Sequence, residues 1–248
     1  VVVDWNQMRS LQRSFFKASV SNCDIPQDHA IVAVNNRVAN QLGIKDFISG
    51  GNLAGESIMP STWGYDARDL KHIKDINSKY EGISLKKFPK MNFFESYFYY
   101  PFIKGVQNYR ILNDIGYNPI NAKKELIENY GWRDYGGKHH ESVFTRYYQA
   151  YYLPEKFGFD KRKGHFSSLI AAGMLSRTDA LNLLNQPLYS ESLLSKDEKF
   201  IKDKLGFSNE EWLEIMRSKP VPHESFKTNR NLHRLLTTVK ESIENKGI

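Results

Sequence analysis

The densest reactive chemistry in this sequence lies in residues 136–165. Gly136 and Gly137 lead into Lys138, His139, His140 and Glu141, with Ser142 next and Arg146 four residues further on. An amine, two imidazoles and a carboxylate in a row can move protons near neutral pH, and the cations can hold an anion. The pattern predicts a helix from about residue 140 to 152, whose N-terminus would carry positive partial charge and free N–H donors. Glu141, Thr145, Tyr148 or Gln149, and Tyr152 would share one polar face of it, with Arg146 on the other flank. A capped surface helix accounts for Glu141 and Ser142 but not for so many reactive groups at a Gly-Gly turn. Neighbouring histidines on a helix point about 100° apart, so His139, His140, Glu141 and His165 are not assigned as a metal site.

Two further stretches carry chemistry. Lys156, Lys161, Arg162, Lys163 and His165 are close in sequence, with Gly158 and Gly164 among them. A short basic run interrupted by glycine suits a loop folded over a diphosphate, with Lys161 and Arg162 as charge-assisted donors. A solvated charge run or a nucleic-acid patch is the plainer reading. Ser49, Gly50, Gly51 and Asn52, followed by Glu56, read as a turn whose backbone N–H groups approach a phosphate, with Glu56 serving a metal or a ribose. In residues 22–29, Asp28 reads as a helix N-cap, His29 as a structural histidine, and Cys23 lacks the partner a nucleophile needs.

These groups need elements to position them. Val1, Val2 and Val3 read as a buried strand, and Asp4 as the cap of a helix over residues 5–20, with Met8, Leu11, Phe15, Phe16 and Val20 at helical spacing. A second helix is expected over residues 28–42, stopped by Gly43. A short strand at Phe47 and Ile48 precedes the Gly-rich turn. Strand, helix, helix, strand and Gly-rich turn is the order of an open parallel α/β sheet, which binds ligands beyond the carboxyl ends of its strands. A helix over 66–79 and an extended piece over 85–89 come next, then a mainly helical region. Its helices are expected near 93–106, 121–130, 140–152, 165–172, 178–184, 195–205, 209–216 and 224–244. The division between an α/β part, 1–82, and a helical part, 83–248, is placed near Gly82.

Composition is that of a globular protein, with 40% hydrophobic and 25% charged residues and a net charge of +7 in 248 residues. That charge favours anionic ligands. The single cysteine excludes an intrachain disulfide and a cysteine zinc site and fits a reducing cytoplasm. No apolar run approaches the ~20 residues of a membrane helix.

Residues 135–142, with Thr145, Arg146, residues 151–154, Lys156, Phe157, residues 160–162 and residues 165–170, resemble the signature of the N-acetyl sugar amidotransferases. These belong to the PP-loop ATP-pyrophosphatase superfamily and act in bacterial lipopolysaccharide and nonulosonate biosynthesis. Residues 26–30, Ser49, Gly50, Asn52, Glu56 and residues 63–65 extend the resemblance over almost the whole chain. It implies part of a Rossmann-like PP-loop nucleotide domain in 1–82 and a sugar-substrate region in 83–248. It also implies ATP with Mg2+ as cofactors. The reaction would turn a nucleotide sugar's acetamido group into an acetamidino group, with ammonia from a separate glutaminase subunit and a cyclase-like partner. Neither nucleic acid nor membrane is implied as a partner.

Carried onto this chain, the resemblance puts Lys138, His139, His140 and Glu141 at the reaction centre and Gly136, Gly137, Arg146, Lys161, Arg162 and His165 at the substrate. Ser49, Gly50, Asn52 and Glu56 would meet the nucleotide. One departure stands out: Leu53 and Ala54 occupy the positions of the Asp-Ser pair that ends the superfamily's pyrophosphate loop. The expectation is that this loop lies before Val1 and that Ser49–Asn52 is a second nucleotide turn. Two other classes stay open: a PP-loop tRNA-modifying enzyme, which would share the nucleotide fold and the basic charge, and a non-catalytic basic nucleic-acid-binding module, suggested by the charge and the aromatic content.

Overall fold

The structure is a computed structural model that describes residues 2–138 and 140–244, with side chains to residue 238. Helix α1 (Trp5–Lys17) starts at Asp4, whose carboxylate accepts the Gln7 N–H at 3.1 Å. Helix α2 (Ile25–Leu42) begins earlier than its sequence spacing suggests, with Pro26 in its first turn and Asp24 at the cap position. Asp28 is therefore not the cap but sits inside the first turn, where its charge complements the helix dipole. Gly43 ends α2 in the left-handed region, at φ 71°. Strand β1 (Asp46–Ile48) and the short helix α3 (Leu53–Glu56) follow. Helix α4 (Leu70–Lys79) is capped by Asp69, which accepts from the N–H groups of Lys71 and His72.

Residues Glu95–Ile103 form a π-helix around Pro101, closed by the Lys104 N–H on the Tyr99 carbonyl. A proline supplies no N–H to an α-helical ladder, so the wider turn accommodates it. Strand β2 (Gln107–Tyr109) and helix α5 (Pro119–Tyr130) come next. Helix α6 (Val143–Tyr147), a π-helical turn (Tyr148–Tyr152) and α7 (Leu153–Phe157) run on as one rod. Helices α8 (Lys161–Ala171), α9 (Arg177–Leu184), α10 (Glu191–Leu205), α11 (Asn209–Arg217) and α12 (Arg230–Glu244) complete the chain.

The expected open parallel sheet is not found among the described residues. β1 and β2 pair in parallel, Asp46 with Gln107 through Ile48 with Tyr109, and form a two-stranded sheet. Val2 and Val3 lie outside any strand and Val2 is 96% exposed, while Val1 lies outside the described residues. Valine favours a strand only where a partner backbone and a covering layer exist, and none is provided there.

The chain divides into two compact units made of discontinuous segments. One comprises Val1–Lys45, Tyr65–Val106 and Lys219–Ile248; the other comprises Asp46–Gly64 and Gln107–Ser218. In the first, Leu11, Phe15, Phe16, Ile25, Ala30, Ile73 and Ile76 are buried, so α1, α2 and α4 each give one apolar face to its core. In the second, the core holds Tyr147, Tyr148, Tyr152, Leu153, Ile201 and Trp212. Tyr148 and Tyr152 are fully buried, which overturns the polar face expected for that helix: it is a core face.

Candidate active site

Within the second unit, the parallel β1–β2 pair carries the Gly-rich turn at its carboxyl end, and the Ser49 N–H on the Tyr109 carbonyl (2.9 Å) closes the pairing. Local side chains then hold the turn. Ser49 Oγ accepts from the Gly51 N–H, Asn52 Oδ1 from the Gly55 N–H at 2.8 Å, and Glu56 Oε2 from the Asn52 N–H at 3.4 Å. Asn113 Oδ1 takes the Leu53 N–H at 2.9 Å. These amides are therefore engaged internally, which corrects the picture of a bare phosphate cradle. A Cβ on Gly51 would lie within 4 Å of Ser49 Oγ, Glu56 Oε2 and Arg110 Nε, so side chains converge over this glycine.

Helix α8 docks the segment that carries Glu56. Gly164, His165 and Ser168 lie on one face at i, i+1 and i+4. His165 Nδ1 meets the Gly55 carbonyl at 2.9 Å, and Ser168 Oγ accepts the Ile58 N–H at 2.9 Å. At Gly164 the helix comes so close that a Cβ would lie 2.7 Å from the Ile58 carbonyl oxygen. The basic residues 161–165 are thus the first turn of a helix capped by Asp160, not a loop.

Lys138 joins the two motifs. Its Nζ donates to Glu56 Oε1 at 2.7 Å, and both side chains keep about a third of their surface in solvent (37% and 35%). Burial and the Glu56 charge push the nearby Tyr117 hydroxyl above its usual pKa. Gly136 adopts φ 83° and its N–H donates to Asp134, which orients the turn into Lys138. The His140 ring lies over Gly137, so closely that a Cβ there would be 2.6 Å from it. Ser142, not Glu141, begins the helix: its Oγ accepts from the Thr145 N–H, and Glu141 is exposed in the preceding turn. His139 lies outside the described residues.

The remaining basic residues named from sequence have other partners. Arg146 makes a bidentate pair with Asp197 at 2.7 and 3.1 Å and reaches the His140 carbonyl at 3.2 Å. Burial pushes Asp197 up, but hydrogen bonds from Arg146 and Tyr189 outweigh it and hold the carboxyl below its usual pKa. Arg162 spans Asp160 and the carbonyls of Leu183, Leu184 and Gln186, tying α8 to the end of α9. Lys161 Nζ stands 5.4 Å from the Tyr148 ring centroid. Asn113, Tyr117, Arg110 and Asp197 were absent from the sequence-derived site. No spacing rule links them to it, whereas Ser168 stands four residues after Gly164 and was within reach of one.

The donor set fits one side of a nucleotide or sugar. A carboxylate with a lysine beside it suits hydroxyl and anionic groups. Magnesium would need further oxygen donors, since Mg2+ takes six and Glu56 offers one carboxylate; among the described residues no group of three His, Cys, Asp or Glu is placed for a metal.

The first unit holds the buried histidines His29, His72 and His223, and His29 has the structural role expected of it. His29 Nδ1 meets the Ala67 carbonyl at 2.7 Å and Nε2 takes the Met91 N–H, which defines a neutral tautomer. His223 Nε2 accepts the Asn22 N–H, so its Nδ1 carries the proton toward His72 Nε2, 2.9 Å away. Burial lowers all three, His72 to about 4 and His223 to about 3. Such imidazoles pack and position rather than titrate near neutrality.

The second unit therefore presents a polar surface suited to anionic and hydroxylated ligands, on a mainly helical scaffold. Residues 141–240 match the family model described as "LPS biosynthesis protein WbpG-like, C-terminal domain". The match begins next to the Gly-Gly-Lys-His-His turn and supports a role in lipopolysaccharide biosynthesis. No curated protein and no solved structure matches the chain. Among the described residues no helix is long and apolar enough to cross a membrane.

Proposed function

We propose that this chain belongs to an ATP-dependent amidotransferase that converts an acetamido group of a nucleotide-activated sugar to an acetamidino group in surface-polysaccharide biosynthesis. A glutaminase subunit and a cyclase-like subunit would deliver the ammonia. The observation that carries this reading is the 2.7 Å contact between Lys138 and Glu56, which brings Lys138 to the segment that follows the Gly-rich turn although 82 residues separate the two. The family match of residues 141–240 gives the biosynthetic setting.

ATP, when bound, supplies the group that makes the amide oxygen a leaving group. Lys138 would supply positive charge to an anionic group of the substrate or nucleotide, and Glu56 would hold the Lys138 ammonium and accept a ribose or sugar hydroxyl. His140, fixed over Gly137 and backed by the Arg146 contact to its carbonyl, handles the proton on the reacting amide. Arg146 and Arg162 serve as the braces of this surface, engaged as they are with Asp197 and with Asp160 and the α9 carbonyls.

The test is reconstitution. The full-length protein, ATP, ammonium and a nucleotide-activated N-acetyl sugar should yield AMP and a product with one carbonyl oxygen exchanged for NH, read by mass spectrometry. Lys138→Ala and Glu56→Gln should each lower kcat/KM by ~10²-fold or more with the fold retained, the scale seen when one charge-stabilising group is removed. Full activity in both variants would end this assignment of the site.

A further inference from the structure

We infer that the first unit carries a second anion site, a depression between α4, the residues before the π-helix and the segment leading to α12, fitted to a small phosphorylated ligand with a flat ring. This inference stands apart from the amidotransferase reading. The depression has a volume of about 460 Å³, and Lys71, Lys74, Asn92, Phe93, Lys227 and Asn229 line it. Volumes of this order suit small-molecule ligands (~300–1,000 Å³).

Charge decides what kind. Lys71 and Lys74 stand on one face of α4, and Lys227 approaches from a segment more than a hundred residues away in sequence. The lining contains one carboxylate, Asp75, which is buried and already used. Lys79 Nζ holds it at 2.8 Å and the Lys227 backbone N–H at 3.0 Å. Lys71 would normally pair with Asp75 at i,i+4, but that carboxylate is committed, and among the described residues Lys71, Lys74 and Lys227 form no ion pair through their amines. Three amines around one hollow concentrate positive potential there.

The hollow is not purely ionic. Phe93 is half-buried in its wall, with its ring 4.7 Å from that of Tyr97, and Leu70 is buried beneath. Asn229 is anchored by its N–H and side-chain amide on Asp69. A ring to stack on, amides to hydrogen-bond and unpaired amines together suit a nucleoside phosphate better than a bare inorganic anion.

Titration calorimetry of the full-length protein at low salt tests this, with uridine monophosphate and inorganic pyrophosphate as probes. Uridine monophosphate should bind with an affinity that falls as salt rises. The Lys71→Ala/Lys74→Ala/Lys227→Ala variant, which keeps the Lys227 N–H on Asp75, should bind at least ~10-fold more weakly with an unchanged circular dichroism spectrum. Phe93→Ala should weaken the nucleotide and leave pyrophosphate unaffected. Absence of nucleotide binding at low salt, equal affinity in the triple variant, or equal loss of both probes in Phe93→Ala would overturn the inference. The readout is binding, so loss of amidotransferase activity, or its absence, leaves the outcome separable.

Discussion

Gly164→Ala sets helix propensity against packing in a way that tests how the candidate site is built. Replacing glycine by alanine inside a helix normally stabilises by ~1 kcal/mol. Here the new Cβ would stand 2.7 Å from the Ile58 carbonyl oxygen and 3.1 Å from Met59 Sδ and Cε. The methionine can swing away, but the carbonyl cannot move alone. Its own residue's N–H is held by Ser168 Oγ, and the Gly55 carbonyl three residues earlier by His165, both on the helix that carries the new methyl. Relief therefore means shifting α8 off the segment and weakening at least one of those hydrogen bonds. Overpacking costs ~1–3 kcal/mol and a lost hydrogen bond ~1 kcal/mol. Against the propensity gain, the net expectation is a destabilisation of ~1–3 kcal/mol. Urea denaturation followed by circular dichroism should show an earlier midpoint with an unchanged slope. A Gly164→Ala protein as stable as the parent, or more so, would refute the close approach. The displaced segment also bears Glu56, so in the reconstituted reaction the same variant should lose activity even where the protein is fully folded.

Three further outcomes follow from the same contacts. The buried imidazoles His29, His72 and His223 take up protons at lower pH in the folded state than in the unfolded chain, near 6.5. Stability is therefore complete above about pH 6.5 and falls as pH drops toward the folded values of about 4 and 3 for His72 and His223, by up to ~1.4 kcal/mol per pH unit for each proton. Denaturation midpoints from pH 7.5 to 4.5 check this, and a His72→Phe variant with an undiminished acid slope would contradict it. Arg146→Ala should cost ~3 kcal/mol because it takes the bidentate partner from the Asp197 carboxylate, whose side chain is 6% exposed, and leaves it with the Tyr189 hydroxyl. Arg146→Ala/Asp197→Ala should recover part of that loss, and a double variant no more stable than the single one would count against the buried pair. Arg162→Met should lower stability by ~1 kcal/mol through loss of the side-chain hydrogen bonds to Asp160, which still accepts the backbone N–H at position 162, and to the carbonyls of Leu183, Leu184 and Gln186; thermal melting reads this, and an unchanged midpoint would show that those hydrogen bonds contribute nothing.

Local features were legible from sequence. Asp4 as a cap, Gly43 as a stop, the strand at Phe47 and Ile48 and the turn at 49–52 all rest on interactions within a few residues, which side-chain type and spacing encode. Boundaries failed where a competing local signal was overlooked: Pro26 in a first turn displaced Asp28, and Asp160 as a cap turned the basic run 161–165 into a helix start. The expected sheet failed for a different reason. Three valines state a preference, while a strand exists only when another strand supplies hydrogen-bond partners.

The site divides along the same line. Sequence alone singled out Glu56, Lys138, His140 and His165 as groups with chemistry to offer, because residue type and the Gly-rich turns beside them are local properties. It could not say that Lys138 would reach Glu56, that Arg146 would be taken by Asp197, or that Gly164 and Ser168 would press α8 against the Glu56 segment. Those pairings join residues 51 to 110 positions apart, and nothing in the intervening spacing encodes them. They exist because burial of Tyr147, Tyr148 and Tyr152 fixes one set of helices around one core, and only that packing decides which charged side chain meets which.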